Sequence, residues 1–495
     1  MTSLWLDRAT AVETDPFEPE SRYDVVVIGA GLTGLTSALL LARAGRRVAV
    51  LEARSVGAVT TGNTTAKVSL LQGSHLQGIR RFSGRSILDA YVRANRAGFD
   101  WLLRYADEND IAVQRRPAVS VALTSAGTST VQREFDVARD IGLPVELIAS
   151  TDLPMRSYGS VVLPDQAQFD PLDVLAAMTA ELRSLGGVVV EGVRVTGVVS
   201  RHDPARVETS RGDVSASTVV IATGTPMLDR GLYWAKVSPH RSYATAFRVP
   251  GALPTGMYLS VDEPRRSVRT APDGGGGELL LVGGNGHKVG HAESPAALLD
   301  DLTRWTNDHW PGAERTHVWS AQDYSTPHRV PFTGWMPRGS GRIYLATGYD
   351  KWGMTNAVQS ALQLAAAITG NDAPDWGRTL SRRVTTPLAL ASGIGTNAAV
   401  GWWYAKGWAR MLTSRLPADR PAEGSGAVGM AEGRPSAEST VDGTTCRVSA
   451  LCTHLGAALT WNDLERSWDC PAHGSRFAAE GTLLEGPATR DLTRR

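Results

Sequence analysis

Two short boxes near the C-terminal end bring together residue types that bind iron. They are Cys452-Thr453-His454-Leu455-Gly456 and Cys470-Pro471-Ala472-His473-Gly474-Ser475, each with one cysteine and one histidine. Two thiolates on one iron and two imidazoles on the other make the ligand set of a [2Fe-2S] cluster. Exchanging thiolate for neutral imidazole removes negative charge and raises the reduction potential above that of an all-cysteine cluster. Cys452, His454, Cys470 and His473 are therefore the candidate metal ligands, and their chemistry is single-electron transfer. A tetrahedral zinc site is the competing reading of the same four residues. Zinc modules commonly space paired ligands by about two to five residues on a turn. Cys-x-His is tighter, and the glycine after each box suits loops wrapped around a larger cluster.

A second candidate site lies near the start of the chain. Asp24-Val25-Val26-Val27-Ile28 is an apolar run of the length of a buried parallel strand, and Gly29-Ala30-Gly31-Leu32-Thr33-Gly34 follows at once. Ala38, Leu41 and Ala42 put small and apolar side chains on the sheet-facing side of a helix that Gly45 ends. Val48-Ala49-Val50-Leu51 makes the second strand, and Glu52 stands at its tip, eighteen residues after Gly34. Gly29 permits the tight turn, Gly31 lets backbone amides approach a pyrophosphate, Gly34 allows close packing, and Glu52 binds ribose hydroxyls. Strand, glycines, helix and acid together read as a dinucleotide site. Gly283-Gly284-Asn285-Gly286 also follows a strand but lacks the helix and the acid, so it reads as a loop and no NAD(P) domain is expected.

The elements that position these groups need two or three domains, which 495 residues with 42% hydrophobic content can supply. With 51 basic and 50 acidic residues the net charge is +1, no footprint for nucleic acid or an anionic membrane. Met1 to Asp15 has no apolar core of a secretory signal. The uncharged stretch from Val384 to Ala405 is broken by Pro387, three glycines and polar residues, a poor membrane span. A buried helical connector from Asn397 to Leu416 is the better reading. The three cysteines, Cys446, Cys452 and Cys470, leave no pair for a structural disulfide once two are ligands, so the expected compartment is cytoplasmic. Pro417 to Thr440 is rich in Pro, Ala, Gly, Glu and Ser and reads as a tether. Cys446 to Leu451 is expected to be the strand feeding the first box, with Cys446 only packing, and Trp461 to Trp468 a hairpin before the second.

The dinucleotide unit, followed by Thr60-Thr61-Gly62-Asn63-Thr64-Thr65, resembles the glutathione-reductase-type FAD fold, specifically the D-amino-acid oxidase superfamily. So do Thr218-Val219-Val220-Ile221-Ala222-Thr223-Gly224 and Ile343-Tyr344-Leu345-Ala346-Thr347-Gly348, the latter leading through Tyr349 to Thr355 into a helix, Asn356 to Ile368. The resemblance implies FAD held by Gly29, Gly31, Gly34, Glu52, Thr61, Asn63, Thr64, Thr65, Gly224, Gly348, Gly353, Met354 and Thr355. A helix N-terminus near Gly353-Met354-Thr355, aimed at the flavin N1/C2=O, would stabilise the charge that develops there. The two boxes resemble the Rieske proteins of cytochrome bc complexes, written Cys-Thr-His-Leu-Gly-Cys and Cys-Pro-Cys-His-Gly-Ser. In that family the second cysteines pair in a disulfide; here both positions are alanine, Ala457 and Ala472, while Ser475 matches the serine that bonds a bridging sulfide and Phe477 stands where a tyrosine is expected.

The resemblance covers about residues 20 to 375 and 421 to 495. It implies an α/β (α+β) architecture: a discontinuous Rossmann-like FAD-binding domain (20–95, 156–235 and 316–375) and an inserted mixed β-sheet substrate domain (96–155 and 236–315). A helical connector and linker (376–420) then leads to a small all-β Rieske domain (421–495). Strands such as Met257 to Val261 and Leu279 to Val282 would roof the flavin. Amine oxidases of the superfamily carry a Trp-x-Gly-x-Arg-x-x-Thr-Pro-Asp segment; here Trp319 to His328 puts Asp323 at the Arg position and His328 at the Asp position. That reversal of charge argues against an Arg clamp on a substrate carboxylate there, with Arg269 and Arg329 as substitutes. Lys351, Tyr324 and His328 are the catalytic candidates, and covalent attachment of flavin through His75 stays open.

The expected function is an FAD-dependent oxidoreductase that oxidises a small organic molecule such as an amine, with single electrons passing between the flavin and the cluster. Its partners would be the small-molecule substrate and a protein or quinone-like electron partner. A non-enzymatic electron carrier or redox sensor, and a reductase fed through the cluster, are the alternatives. Too few residues follow His473 for the mononuclear-iron domain of an oxygenase.

Overall fold

The computed structural model describes residues 1–381 and 385–495; Val384, where the uncharged stretch begins, lies outside them. The first strand, Arg22–Ile28, pairs in parallel with Val48–Leu51 on one side and Val214–Ile221 on the other, and Ile343–Thr347 pairs in parallel beyond. Val25, Val26, Val27 and Ile28 are all buried, because helices cover one face of the sheet and the strands Val195–Val199 and Ala205–Thr209 with neighbouring loops cover the other, so both faces must be apolar. One covering helix is Leu32–Arg43; another, Gly353–Thr369, packs against it. Eight strands make up this sheet.

A nine-stranded sheet stands beside it, built on long antiparallel pairs of Ser238–Arg248 with Glu278–Lys288 and with Glu314–Ser325. Its membership crosses the boundaries expected from sequence. Lys67–Val68, Ser160–Gln168 and Glu314–Ser325 pair here rather than with the nucleotide sheet. These segments alternate between two sheets, and only long-range pairing, such as Val119 opposite Val162, decides which one each joins. The glycine run is a second correction. Gly283 to Gly286 lie within the strand Glu278–Lys288, where a Cβ on Gly284 would come within 2.4 Å of the Arg265 carbonyl. Glycine is there for close approach of strands, not for a turn.

The C-terminal region has a three-stranded sheet (Gly426–Ala431, Arg434–Val441, Thr444–Ser449) and a four-stranded sheet (Thr460–Asn462, Ser467–Asp469, Arg476–Ala478, Leu483–Glu485). Thr460–Asn462 and Ser467–Asp469 form the hairpin expected before the second box. The presumed tether therefore contains two paired strands; its small residues suit tight packing, with Ala437 and Ser439 fully buried. The connector differs as well. It is a helix, Pro387–Thr413, in which only Ala389 and Met411 are buried. Among the described residues no helix is long and apolar enough to cross a membrane.

Gly34 sits where the first covering helix meets the turn, and a Cβ there would fall 1.9 Å from the Gly29 carbonyl oxygen. Gly34→Ala should lower the urea midpoint by the equivalent of about 2–3 kcal/mol and release FAD. Gly45→Ala, with φ of +77° but open space around it, should cost about 1 kcal/mol and keep the cofactor.

Candidate functional site

The turn after the first strand closes tightly: Gly29 has φ of +104°, and a Cβ on it would come 2.7 Å from the Ala222 carbonyl oxygen. The helix that follows has no side-chain cap, so its first-turn amides face an acceptor from outside. Leu32 N–H donates to Thr61 Oγ1 at 3.2 Å. Ala30 N–H and Arg54 N–H each donate to one oxygen of Glu52, at 2.9 and 2.8 Å, which aims the carboxylate into the cleft. Burial pushes Glu52 up despite these amides. Gly29, Gly31, Glu52, Thr61, Thr64, Gly224, Gly348, Gly353 and Met354 line one cavity, and the helix Gly353–Thr369 begins there without a side-chain cap. A pyrophosphate and an electron-accepting ring fit the two uncapped helix ends.

Other expected contacts lie elsewhere. Asn63 donates its amide to the Ala58 and Val59 carbonyls, closing its own loop. Thr355 is fully buried and donates to Asn95 Oδ1. Gly34 serves packing only. Thr65 borders the neighbouring cavity.

That second cavity, of about 510 Å³, lies against the nine-stranded sheet and shares Thr60, Thr64, Asp323 and Lys351 with the first. Lys351 pairs with Asp323 at 3.3 Å and donates to Ser242 Oγ, so the reversed charge at Asp323 has a local counter-ion. Arg329 also borders the cavity and pairs with Asp350 at 3.6 Å. Burial pushes Asp350 up, but His75, Arg329 and Lys351 together hold it below the usual range. His75 Nδ1 lies 3.5 Å from Asp350, and burial lowers its pKa to about 4. Arg269 does not reach the cavity: it lies over the Trp5 ring and donates to the Ala66 carbonyl. His328 lines neither cavity; its Nδ1 accepts from Val330 N–H, and its ring packs edge-on against Phe332. Tyr324 borders the first cavity, its hydroxyl accepts from Gln322 Nε2 at 2.8 Å, and burial raises its pKa.

Lys67 was not a candidate from sequence. It lies on the short strand after the Thr-rich loop and borders the second cavity, donating to Tyr258 O at 2.8 Å and to Ser267 Oγ. Burial, then the Arg269 charge, lowers it to about 7.

The structure brings the two boxes together. Cys452 and Cys470 are buried and hydrogen-bonded to each other, and the imidazoles of His454 and His473 stand 5.2 Å apart between centroids. His454 Nδ1 is buried with no hydrogen-bond partner, as an atom reserved for a metal would be. Among the described residues no three Cys, His, Asp or Glu donors converge as one ion would need; a two-iron cluster divides its protein ligands two and two. Two residues invisible at sequence level complete the site. Asp229 Oδ1 lies 3.1 Å from His454 Nε2, and Trp234 packs edge-on against His473 and His454 at 4.7 and 5.9 Å. Both belong to the loop after the nucleotide strand Val214–Ile221, more than two hundred residues from the boxes.

The cluster region also walls the first cavity, through Leu484, Glu485, Gly486, Ala488 and Thr489. Buried charge fixes it there. Arg241 of the nine-stranded sheet reaches Glu465 at 2.6 Å and Glu485 at 3.2 Å. Arg476 reaches Asp469 at 3.2 Å, Glu485 at 3.0 Å, and Glu465. Burial alone would raise Glu465, but Arg241 and Arg476 hold it at about 2. Gln322 Nε2 donates to Gly474 O at 2.8 Å, and Arg194 to Leu483 O at 2.8 Å.

Fold and site define a flavoprotein of the amino-acid oxidase type joined to an iron-sulfur module. The FAD dependent oxidoreductase family model matches residues 24–367 and the Rieske [2Fe-2S] domain model residues 430–494. The chain belongs to the FAD dependent oxidoreductase family, is an enzyme, and binds FAD and a [2Fe-2S] cluster. A protein of Bacillus subtilis (strain 168), YhfW, described as a Rieske 2Fe-2S iron-sulfur protein, is 30% identical over 478 residues, 96% of this chain and 94% of that one. Glycine oxidase of Geobacillus kaustophilus is 27% identical over 370 residues, 70% of this chain and 93% of that one. A crystal structure of glycine oxidase from the same organism superposes with a TM-score of 0.61 at 20% identity, covering 74% of this chain and all of that one.

Ser475 Oγ accepts from Ala488 N–H at 3.0 Å and bonds the Cys452 sulfur. Ser475→Ala should lower the cluster midpoint potential by roughly 60–130 mV, the one-electron equivalent of about 1.5–3 kcal/mol, measured by redox titration with paramagnetic resonance detection. Glu465 has a folded pKa below its unfolded value, so its contribution to stability is complete above about pH 4.5 and is lost as pH falls toward 2. Urea midpoints measured from pH 6 to 3 should fall in that window, and less steeply in Glu465→Gln.

Proposed function

We propose that the enzyme oxidises a small amine-bearing organic substrate in the cavity beside the flavin and releases the electrons singly through a cluster held by Cys452, His454, Cys470 and His473. The observation that carries this is the shared wall: Leu484, Glu485, Gly486, Ala488 and Thr489 of the cluster region border the same cleft as the dinucleotide glycines. When bound, FAD supplies a two-electron acceptor and the cluster a one-electron carrier. Trp234, packed on both candidate histidine ligands from the nucleotide half, is further support for transfer within one molecule. The electron partner is a protein or a quinone-like molecule, met where Leu455 is exposed next to His454. The cysteine usage supports a cytoplasmic compartment.

Within the cavity, Lys67 is the group we assign to the substrate's proton. A neutral amine has two protons, and the Tyr258 carbonyl and the Ser267 hydroxyl account for both. The lone pair is left for a substrate ammonium, whose deprotonation frees the nitrogen electrons for oxidation. Lys351, paired to Asp323 where the two cavities meet, orients the substrate at the flavin edge. Arg329 and Asp350, paired at 3.6 Å, supply further charge at the cavity wall.

An anaerobic screen of small amines and amino acids, following flavin bleaching together with the resonance signal of the reduced cluster, tests the proposal. A substrate should bleach the flavin and then produce the cluster signal without added protein; bleaching only through a protein partner would make the chain a carrier. With that substrate, kcat/KM should rise with pH through about 7 as Lys67 loses its proton. Lys67→Met should abolish that limb and reduce kcat/KM by about 10²–10⁴-fold; persistence of the limb would sink the assignment.

A further inference from the structure

The helix Pro387–Thr413 presents an apolar face to solvent. At 3.6 residues per turn, Leu390, Ile394, Trp402 and Leu412 fall on one side, and they are 57, 64, 67 and 59% exposed. The residues between them on that side, among them Ala398, Ala405 and Ala409, are small, apolar and exposed. The side that packs on the protein carries Ala389, Val400 and Met411, and at the margin of the exposed face Tyr404 donates to the Leu455 carbonyl and Trp408 to the Gly456 carbonyl, at 3.1 and 3.0 Å. A helix of 27 residues is about 40 Å long, and so extended an apolar face left in water needs an occupant.

We propose that this face lies in the surface of a bilayer containing anionic lipid. The net charge of +1 gives the whole chain no attraction to an anionic membrane, but charge local to this helix selects that occupant. No acidic residue occurs from Pro387 to Thr413, while Lys406 and Arg410 are exposed along one edge. At the N-terminal end, Thr386 is bonded to the Phe82 carbonyl, beside the exposed Arg80, Arg81 and Arg85, two of which share Asp140. Both ends of the helix are thus basic. Pairing with a second copy would oppose like charges, whereas lipid headgroups complement both ends. An exposed tryptophan flanked by alanines suits the headgroup boundary. The helix falls short of a spanning segment, so it lies along the membrane rather than through it. Docked in this way, it would hold the edge of the first box, Leu455 beside His454, next to the headgroup layer.

Flotation of the FAD- and cluster-loaded protein with vesicles tests this. It should bind phosphatidylcholine mixed with an equal part of phosphatidylglycerol, and bind phosphatidylcholine alone at least tenfold more weakly. Ile394→Glu combined with Trp402→Glu should reduce binding at least tenfold with flavin absorbance and cluster signal unchanged. Lys406→Ala with Arg410→Ala should weaken binding to the anionic vesicles on the order of tenfold and leave the neutral ones unaffected. Tryptophan quenching by brominated acyl chains in the unmodified protein gives a measurement independent of any variant. Absence of vesicle binding, absence of quenching, or binding indifferent to the substitutions would overturn the proposal. So would a dimer in sedimentation that Ile394→Glu dissociates, since the face would then belong to a second copy.

Discussion

Everything between the two cofactor sites depends on one buried cluster of charge. Arg241 and Arg476 are shared among Glu465, Asp469 and Glu485, with hardly any water reaching any of them. Apolar burial would favour contact between the cluster region and the substrate sheet but would tolerate many orientations. Two planar guanidiniums with fixed donor directions tolerate few. Removing one partner would leave an uncompensated charge in low dielectric, at a cost of about 3–5 kcal/mol. The arrangement therefore gives register to an interface that apolar contact alone would leave loose.

That register has consequences at both ends. Glu485 belongs to the strand whose continuation walls the flavin cleft, and Gln322, which touches Arg241, also donates to the backbone of the second box. Gly474 approaches so closely that a Cβ would come 2.6 Å from Pro239. In return the nucleotide half reaches across with Asp229 and Trp234 to the two histidines. The alanines at 457 and 472 are buried in this packed region, where neighbouring elements hold the two loops in place without a disulfide between them.

Much of the chemistry was legible in the chain because it is local. The two boxes carry their candidate ligands within a few residues each, and the strand-turn-helix near the start carries its glycines and acid in one unit. Other readings failed where a property is settled by distant partners. Gly283 to Gly286 read as a loop until two neighbouring strands are seen to need close approach. The small-residue segment before the first box looks like a tether until its strands pair. His328 has the right chemical type but is enclosed by its own loop, while Lys67, unremarked in the sequence, acquires a near-neutral amine from burial.

The sequence by itself determined which cofactors are bound and which short segments are candidates to bind them, since spacing within a turn or a strand is a local constraint. Only the tertiary structure decided that the iron-sulfur module walls the cavity lined by the dinucleotide glycines, that Asp229 and Trp234 meet its two histidines, and which face of the long helix is left to solvent. Those outcomes rest on desolvation and on contacts between residues hundreds of positions apart, and neither can be read from neighbours in the chain.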